Sequence, residues 1–410
     1  MSFAINSISA LRDRFRQLPF AGRIVVAATS VLLIAALLLT TVAFSTGKVG
    51  GKRELAVPLT TENARIVDKN GEEVILTGVN WFGFETDAYA PHGLWSRNYE
   101  DMLDQIRDSG FNTIRLPYSN ELFESGNTPG KAIDYSLNPD LKGLSGLDLM
   151  DRIVEAATDR GLMVLLDRHR PTAESQSALW YTPDVPEQRW ISDWVMLAEH
   201  YRDNPLVIGA DLHNEPRGEA TWGDGNRATD WRLAAERAGN AILEVNPDWL
   251  IVVEGVETVD NDFYWWGGNL AAAKEAPVRL SHPEQLVYSA HDYGPGVWKQ
   301  SWFSTPDFPE NLPGMWHEKW AYLQEEGIAP VLLGEFGGRS VDPSDTEGVW
   351  QRKLFEFLKE REISYTYWSW NPNSGDTGGV LKDDWTTVDQ AKLDLIRTHQ
   401  APQAEPADAR

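Results

Sequence analysis

Eight short apolar runs recur along this chain with helical patterns between them, and that alternation limits the fold more than any other feature. The runs cover residues 75–80, 112–117, 163–167, 207–212, 250–254, 286–289, 331–334 and 364–368. Their near-continuous Val, Ile and Leu content suits strands buried on both faces, as in a parallel sheet covered by helices. Between them, 99–108 carries Met102, Leu103 and Ile106, and 147–160 carries Met150, Ile153, Val154 and Ala157, all at helical spacing. Eight such alternations favour a closed (β/α)8 TIM barrel over an open doubly wound sheet. No G-x-G-x-x-G or G-x-x-x-x-G-K-[ST] loop is present to suggest a nucleotide fold.

Ahead of the first run, two apolar stretches flank Asn70-Gly71 within 64–76, which predicts an N-terminal β-hairpin. Further upstream, 24–44 runs twenty-one residues without a charge, enough for a single transmembrane helix across a hydrocarbon layer of roughly 30 Å. Arg12, Arg14, Arg16 and Arg23 precede this span, against Lys48, Lys52 and Arg53 after it, a weak preference for an inside N-terminus. Signal cleavage after Ala43, giving a secreted protein, is the competing reading, although signal apolar regions are usually about 7–15 residues long. The expected organisation is a cytoplasmic segment 1–23, an anchor 24–45, a linker 46–61, a barrel domain 62–398 and a disordered tail 399–410.

Charge narrows the partners. The chain carries a net charge of −24, and its basic N-terminus leaves the exported part more acidic still, so nucleic acid and anionic lipid headgroups are poor partners for that part. A neutral polymer is compatible. With no Cys, thiolate metal sites, disulfides and Cys nucleophiles are excluded. The eight His show no H-E-x-x-H or comparable ligand spacing, so neither metal nor cofactor is expected, and no G-x-S-x-G elbow points to a serine esterase.

In a parallel barrel, catalytic groups gather where the strands end. Arg115 closes the second run, Asp167-Arg168-His169 the third, His213-Asn214-Glu215 the fourth, His291-Asp292-Tyr293 the sixth, Gly334-Glu335 the seventh and Trp368-Ser369-Trp370 the eighth. Either glutamate alone carries little, since an acid in a helix first turn or beside a glycine turn is common. Two at different strand ends fit glycoside hydrolysis, which needs one carboxylic acid to protonate the leaving oxygen and one carboxylate to attack or to activate water.

The segments Asn112-Thr-Ile-Arg-Leu-Pro-Tyr118, Asp211-Leu-His-Asn-Glu-Pro216, Tyr264-Trp-Trp-Gly-Gly-Asn269, Gly334-Glu-Phe-Gly337 and Tyr367-Trp-Ser-Trp-Asn-Pro372 resemble glycoside hydrolase family 5, and within it the bacterial endocellulases. The resemblance runs from about Arg65 to Trp385 and implies a retaining endo-β-1,4-glucanase, with Glu215 as acid/base, Glu335 as nucleophile and a β-1,4-glucan as substrate. It further implies that Arg115 and Tyr293 contact the nucleophile, that Asn214 holds the sugar 2-hydroxyl, and that His169 and His291 bond substrate in the central subsites. Trp95, Trp266 and Trp368 match positions that stack sugar rings, which suits the surplus of eighteen Trp, and Lys382 and Asp384 are candidate hydroxyl contacts.

A second carboxylate and a dry cleft should raise the pKa of Glu215, while Arg115 and Tyr293 keep Glu335 ionised. β-Mannan, xyloglucan and mixed-linkage glucan are rival substrates, and an inactive sugar-binding protein is the rival of another class. Secreted relatives often carry disulfides near the first strand loop, where this chain has Asp87.

Overall fold

The computed structural model describes residues 53–406. Each of the eight apolar runs forms a strand: β1 (Thr77–Asn80), β2 (Thr113–Ser119), β3 (Met163–Arg170), β4 (Val207–Asp211), β5 (Leu250–Glu254), β6 (Leu286–His291), β7 (Val331–Glu335) and β8 (Ser364–Tyr367). All neighbours pair in parallel, and β8 returns to β1 through Tyr365 opposite Thr77 and Tyr367 opposite Val79, which closes the barrel. Closure leaves no edge strand with unpaired backbone groups.

The helices cover the outer face. In α1 (Tyr99–Asp108) the Asn98 side chain accepts from the backbone N–H groups of Glu100 and Asp101, and Tyr99, Met102, Leu103 and Ile106 are buried along one stripe. The helix α2 (Gly146–Asp159) buries Leu149, Met150, Ile153 and Val154 in the same way. Leu116, Leu166 and Leu333, from three different strands, belong with these helix residues to one continuous buried apolar layer.

A second apolar cluster fills the barrel's lower end. Inside the barrel it contains Met163, Leu165, Ile208, Leu250, Val252, Val287 and Leu332, and below them Leu55, Leu59, Ile66, Val74 and Leu76 from the N-terminal segment. Each fully buried aliphatic side chain contributes about 1.5–3 kcal/mol, so the segment acts as a plug.

The predicted boundaries need correction here. The expected linker 46–61 and tail 399–410 are not both free: strand Arg53–Leu55 pairs in parallel with Ala404–Pro406. Tyr365 Oη also donates to the His399 carbonyl at 2.9 Å, and Gln403 Nε2 donates to the Phe111 carbonyl at 3.2 Å. The Asn70-Gly71 turn forms, with Gly71 N–H on the Asp68 carbonyl at 2.8 Å. Its strand Arg65–Val67, however, pairs mainly with Thr60–Glu62 on the upstream side, and with the downstream arm only through Val67 and Glu73. A polar, Pro-containing sequence conceals such pairings because they are made by backbone groups at long range. The expected segments 1–23 and 24–45 lie outside the described residues, and among the described residues no helix is long and apolar enough to cross a membrane.

Candidate active site

The period of two along a strand builds the site. On β3 the inward positions run Met163, Leu165, Asp167, His169; on β5 they run Leu250, Val252, Glu254; on β6, Val287, Ser289, His291. Apolar side chains give way to ionisable ones toward the strand ends.

Arg115, from the middle of β2 and fully buried, organises the polar end. Its Nε lies 2.9 Å from Asp211 Oδ2, and its Nη2 lies 3.2 Å from Glu254 Oε1 and 3.1 Å from Asn214 Oδ1. Its Nη1 reaches Glu335 Oε1 at 2.6 Å, Asn80 Oδ1 at 3.0 Å and Asp167 Oδ2 at 3.1 Å. One guanidinium thus faces carboxylates from β3, β4, β5 and β7. It cannot balance them all in a dry interior. Burial accordingly pushes Asp167 well above the ordinary carboxylate range, Asp211 up to about 6 and Glu254 up to about 7, each against the opposing pull of nearby cationic groups.

Glu335 ends β7 with both oxygens engaged: Oε1 by Arg115, and Oε2 by Tyr293 Oη at 2.7 Å. Glu215 stands across from it, just beyond β4, on a left-handed backbone with φ of 54°. Its N–H donates to Glu254 Oε2 at 2.8 Å, and Arg217 Nη1 donates to its carbonyl at 2.9 Å. These bonds hold a conformation that non-glycine residues seldom adopt. His291 Nδ1 lies between the two acids, 3.2 Å from Glu215 Oε1 and 3.6 Å from Glu335 Oε2. An oxygen of Glu215, one of Glu335 and a His291 ring nitrogen all fall within 4.8 Å of one another.

The expected upward shift of Glu215 is reversed in this unliganded arrangement. Burial pushes its carboxyl up, but the His291 hydrogen bond and charge outweigh it and hold it below the usual value. Burial likewise opposes a charge on His291, yet the carboxylates of Glu254 and Glu335 outweigh that and hold the imidazole well above its ordinary value. The two shifts oppose each other across one hydrogen bond, so His291 competes for the proton that the expected acid would carry.

Two carboxylate–histidine groups have the compactness of a metal site, but they fit a cation poorly. Asp167 Oδ2 and Glu335 Oε1, beside His169, already converge on Arg115 Nη1, and the second group shares Glu335 with Tyr293 and a cationic His291.

The cleft above these residues, about 620 Å³, is lined by His169, Glu215, Glu335, Trp266 and Trp368. Asp167 Oδ2 fixes His169 through Nδ1 at 2.6 Å. Asn214 is buried, and its Nδ2 has no protein partner. Trp368 lies parallel to His169, with ring centroids 5.3 Å apart, and to Phe82 at 5.2 Å. Trp266 is exposed and braced: Arg217 covers one face at 4.2 Å, and its Nε1 donates to Glu257 Oε1 at 2.9 Å.

Other candidates sit elsewhere. Trp95 is reached from Trp368 only along a row of rings through Phe82 and His92, and it packs edge-on against Trp385. Lys382 and Asp384 belong to the turn before Thr387, where Asp384 accepts from the N–H groups of Thr386 and Thr387 at 2.9 and 2.7 Å, so its oxygens are already occupied. Sequence reasoning missed Gln176, Trp298 and Asp376 on the cleft wall, which sit in loops without a periodic signal, and Phe263, in a strand of only two residues. It also missed Glu254, although the fifth run, like the third, ends in a carboxylate.

Comparison with known proteins agrees with this geometry. Residues 67–374 match the family model described as cellulase (glycosyl hydrolase family 5). A Paenibacillus polymyxa endoglucanase is 57% identical over 339 residues, spanning 82% of this chain and 85% of the relative. The major extracellular endoglucanase of Xanthomonas campestris pv. campestris is 45% identical, spanning 82% of this chain and 69% of that protein. An endocellulase from Pyrococcus horikoshii, solved in complex with cellotetraose, superposes with a TM-score of 0.79 at 43% identity, covering 85% of this chain and 99% of the other.

Proposed function

The chain belongs to glycosyl hydrolase family 5 and is an endoglucanase, and from that premise we propose that Glu215 is its acid/base and Glu335 its nucleophile. The observation that carries the assignment is the asymmetric setting of two close carboxylates: one oxygen of each lies within 4.8 Å of the other, Arg115 and Tyr293 hold both oxygens of Glu335, and among the described residues His291 alone meets the Glu215 carboxyl. Retaining enzymes set the pair about 5–5.5 Å apart, whereas inverting enzymes leave about 6.5–9.5 Å for a water molecule.

In the first half-reaction Glu335 attacks C1 of the sugar while Glu215 gives its proton to the departing glycosidic oxygen. Arg115 and Tyr293 orient the attacking carboxylate, and the free Asn214 Nδ2 supports a role in holding the 2-hydroxyl, a bond that tightens as the ring flattens. Esterification removes the Glu335 charge. Glu215 then takes a proton from water, which attacks C1 and frees the product with its original configuration. Trp266 and Trp368 offer flat faces to an equatorially substituted glucan chain, and His169, whose Nε2 meets the Gln176 amide at 3.4 Å, lines the cleft beside them. Trp95 extends the aromatic row outward, and Lys382 and Asp384 stand as peripheral contacts.

The test is proton NMR of the first products from cello-oligosaccharides: the β-anomer should appear first and mutarotate later. An α-anomer formed first defeats the assignment of Glu335 as nucleophile. Reducing-end release from carboxymethyl-cellulose, compared with β-mannan, xyloglucan and barley glucan, ranks the β-1,4-glucan preference.

Export of the catalytic domain is supported by the Xanthomonas relative, whose name describes it as extracellular. The uncharged stretch 24–44 supports a membrane anchor over 24–45, with signal cleavage as the alternative. Intact N-terminal peptides in the membrane fraction mark the anchor; a mature start near Phe44 marks cleavage.

A further inference from the structure

We propose that Glu254 is a positioning residue for the acid/base step, fixing the backbone of Glu215 by a hydrogen bond and, as the ion-pair partner of His291, steadying the proton that His291 hands to Glu215. The proposal rests on the reading of Glu215 as the acid/base.

Three contacts carry it. Glu254 is completely buried at the end of β5. Its Oε2 accepts the Glu215 backbone N–H at 2.8 Å, which supports the left-handed conformation that turns the Glu215 carboxyl into the cleft. Its Oε1 lies 3.3 Å from His291 Nε2, while the other ring nitrogen, Nδ1, lies 3.2 Å from Glu215 Oε1. The imidazole therefore bridges the two carboxyls through opposite edges.

The sequence makes room for this arrangement at Gly267. A Cβ there would stand 2.2 Å from Glu254 Oε2 and 3.2 Å from the Glu215 Cα, so any larger residue would displace the carboxylate. The charged groups facing Glu254 are His291 from β6, Arg115 from β2, Asp167 from β3 and Asp211 from β4, with Arg217 beyond Glu215, and Glu335 from β7 faces His291 at 3.6 Å.

The step balances. The mobile proton can sit on His291 as imidazolium or on Glu215, and the total charge is the same in both. The Nδ1 hydrogen bond to Glu215 and the Glu254 oxygen at Nε2 favour His291 as its place without substrate, most strongly once Glu254, itself raised to about 7, is ionised. When a glycosidic oxygen approaches Glu215, the Nδ1 proton moves to Oε1; cleavage of the C1–O bond passes that proton to the leaving alcohol as the C1–Oε bond to Glu335 forms. His291 is left neutral, with its Nε2 facing Glu254, until water returns a proton through Glu215. Loss of the negative charge at Glu254 would weaken the hold on the stored proton.

The experiment compares the full-length wild type with Glu254→Gln, which keeps an acceptor for the Glu215 N–H but carries no charge. On cello-oligosaccharides kcat should fall about 10²-fold, with the basic limb of the kcat/KM profile displaced toward acid by about one pH unit and KM little changed. On 2,4-dinitrophenyl β-cellobioside, whose leaving group needs no proton, glycosylation should change by less than about threefold. Equal losses on both substrates with an unmoved basic limb would overturn the proposal, since that is how a merely structural residue behaves. A measurement on the wild type guards against misfolding of the variant: in a 15N-histidine NMR titration, assigned with His291→Asn, His291 should stay cationic until the pH of the basic limb. A neutral His291 throughout the active range overturns the proposal. Glu215→Gln separates the two readings, because full hydrolysis of cello-oligosaccharides by that variant would remove the acid/base assignment itself, whatever Glu254 does.

Discussion

At the lower end of the barrel Leu165, Val252 and Val287 point inward against Leu55, Leu59 and Ile66; two residues further along β3 and β5, and four along β6, the same face carries Asp167, Glu254 and His291. The backbone geometry is shared and the chemistry is opposite. The lower half stabilises by taking apolar area from water, which demands volume and little direction. The upper half holds buried carboxylates around Arg115, an arrangement that depends on distance and angle and repays little in stability. Fold and activity should therefore be separable by mutating one end or the other.

The sharpest break comes at Glu335. Glu335→Gln should lower kcat on cello-oligosaccharides by at least about 10⁴-fold while thermal unfolding shifts by only a few degrees, read by calorimetry beside a reducing-end assay. Arg115→Met tests the hub, since it leaves the surrounding carboxylates unpaired; a loss of about 3–5 kcal/mol in urea unfolding should accompany loss of activity. Leu165→Ala, at the other end, should cost about 2–5 kcal/mol with kcat of the folded fraction unchanged. A large fall in kcat for that variant would show that the two ends are coupled.

A weaker effect follows from pH. Burial pushes Asp292 up to about 7, although Tyr264 and Trp350 donate to its carboxyl, and pushes Glu85 up to about 7 as well. Because these native values lie above the unfolded ones near 4, the folded state binds more protons than the unfolded state between about pH 4 and pH 7. Stability is then greatest at the acidic side of that window and falls as pH rises through it. Asp292→Asn should flatten the decline by on the order of 2 kcal/mol, measured by urea titrations at pH 4, 5.5 and 7. The smallest change belongs to the rim: Trp266→Ala should raise KM for cellotetraose about tenfold, or roughly 1.4 kcal/mol, with a lesser effect on kcat.

Much of this was legible without coordinates, for reasons tied to particular residues. The runs ending in Arg115, Asp167, Glu215 and Glu335 announce themselves because strand burial and the polar strand end are written locally, in consecutive residues. Glu254 ends its run in the same way and escaped notice because its partners, Arg115, His291 and the Glu215 N–H, are far away in the chain. The pairing of Arg53–Leu55 with Ala404–Pro406 was hidden for the same reason. Lys382 and Asp384 were read from sequence pattern, and the turn bonds that Asp384 accepts from Thr386 and Thr387 could not be read there.

The order of apolar runs, helical stripes and strand-end acids determined a closed parallel barrel and pointed to its two proposed catalytic glutamates, because periodicity and residue type act over a few neighbouring positions. How those acids meet was decided only in three dimensions. It depends on side chains from several strands converging at ångström distances around His291 and Arg115, and on the left-handed backbone at Glu215.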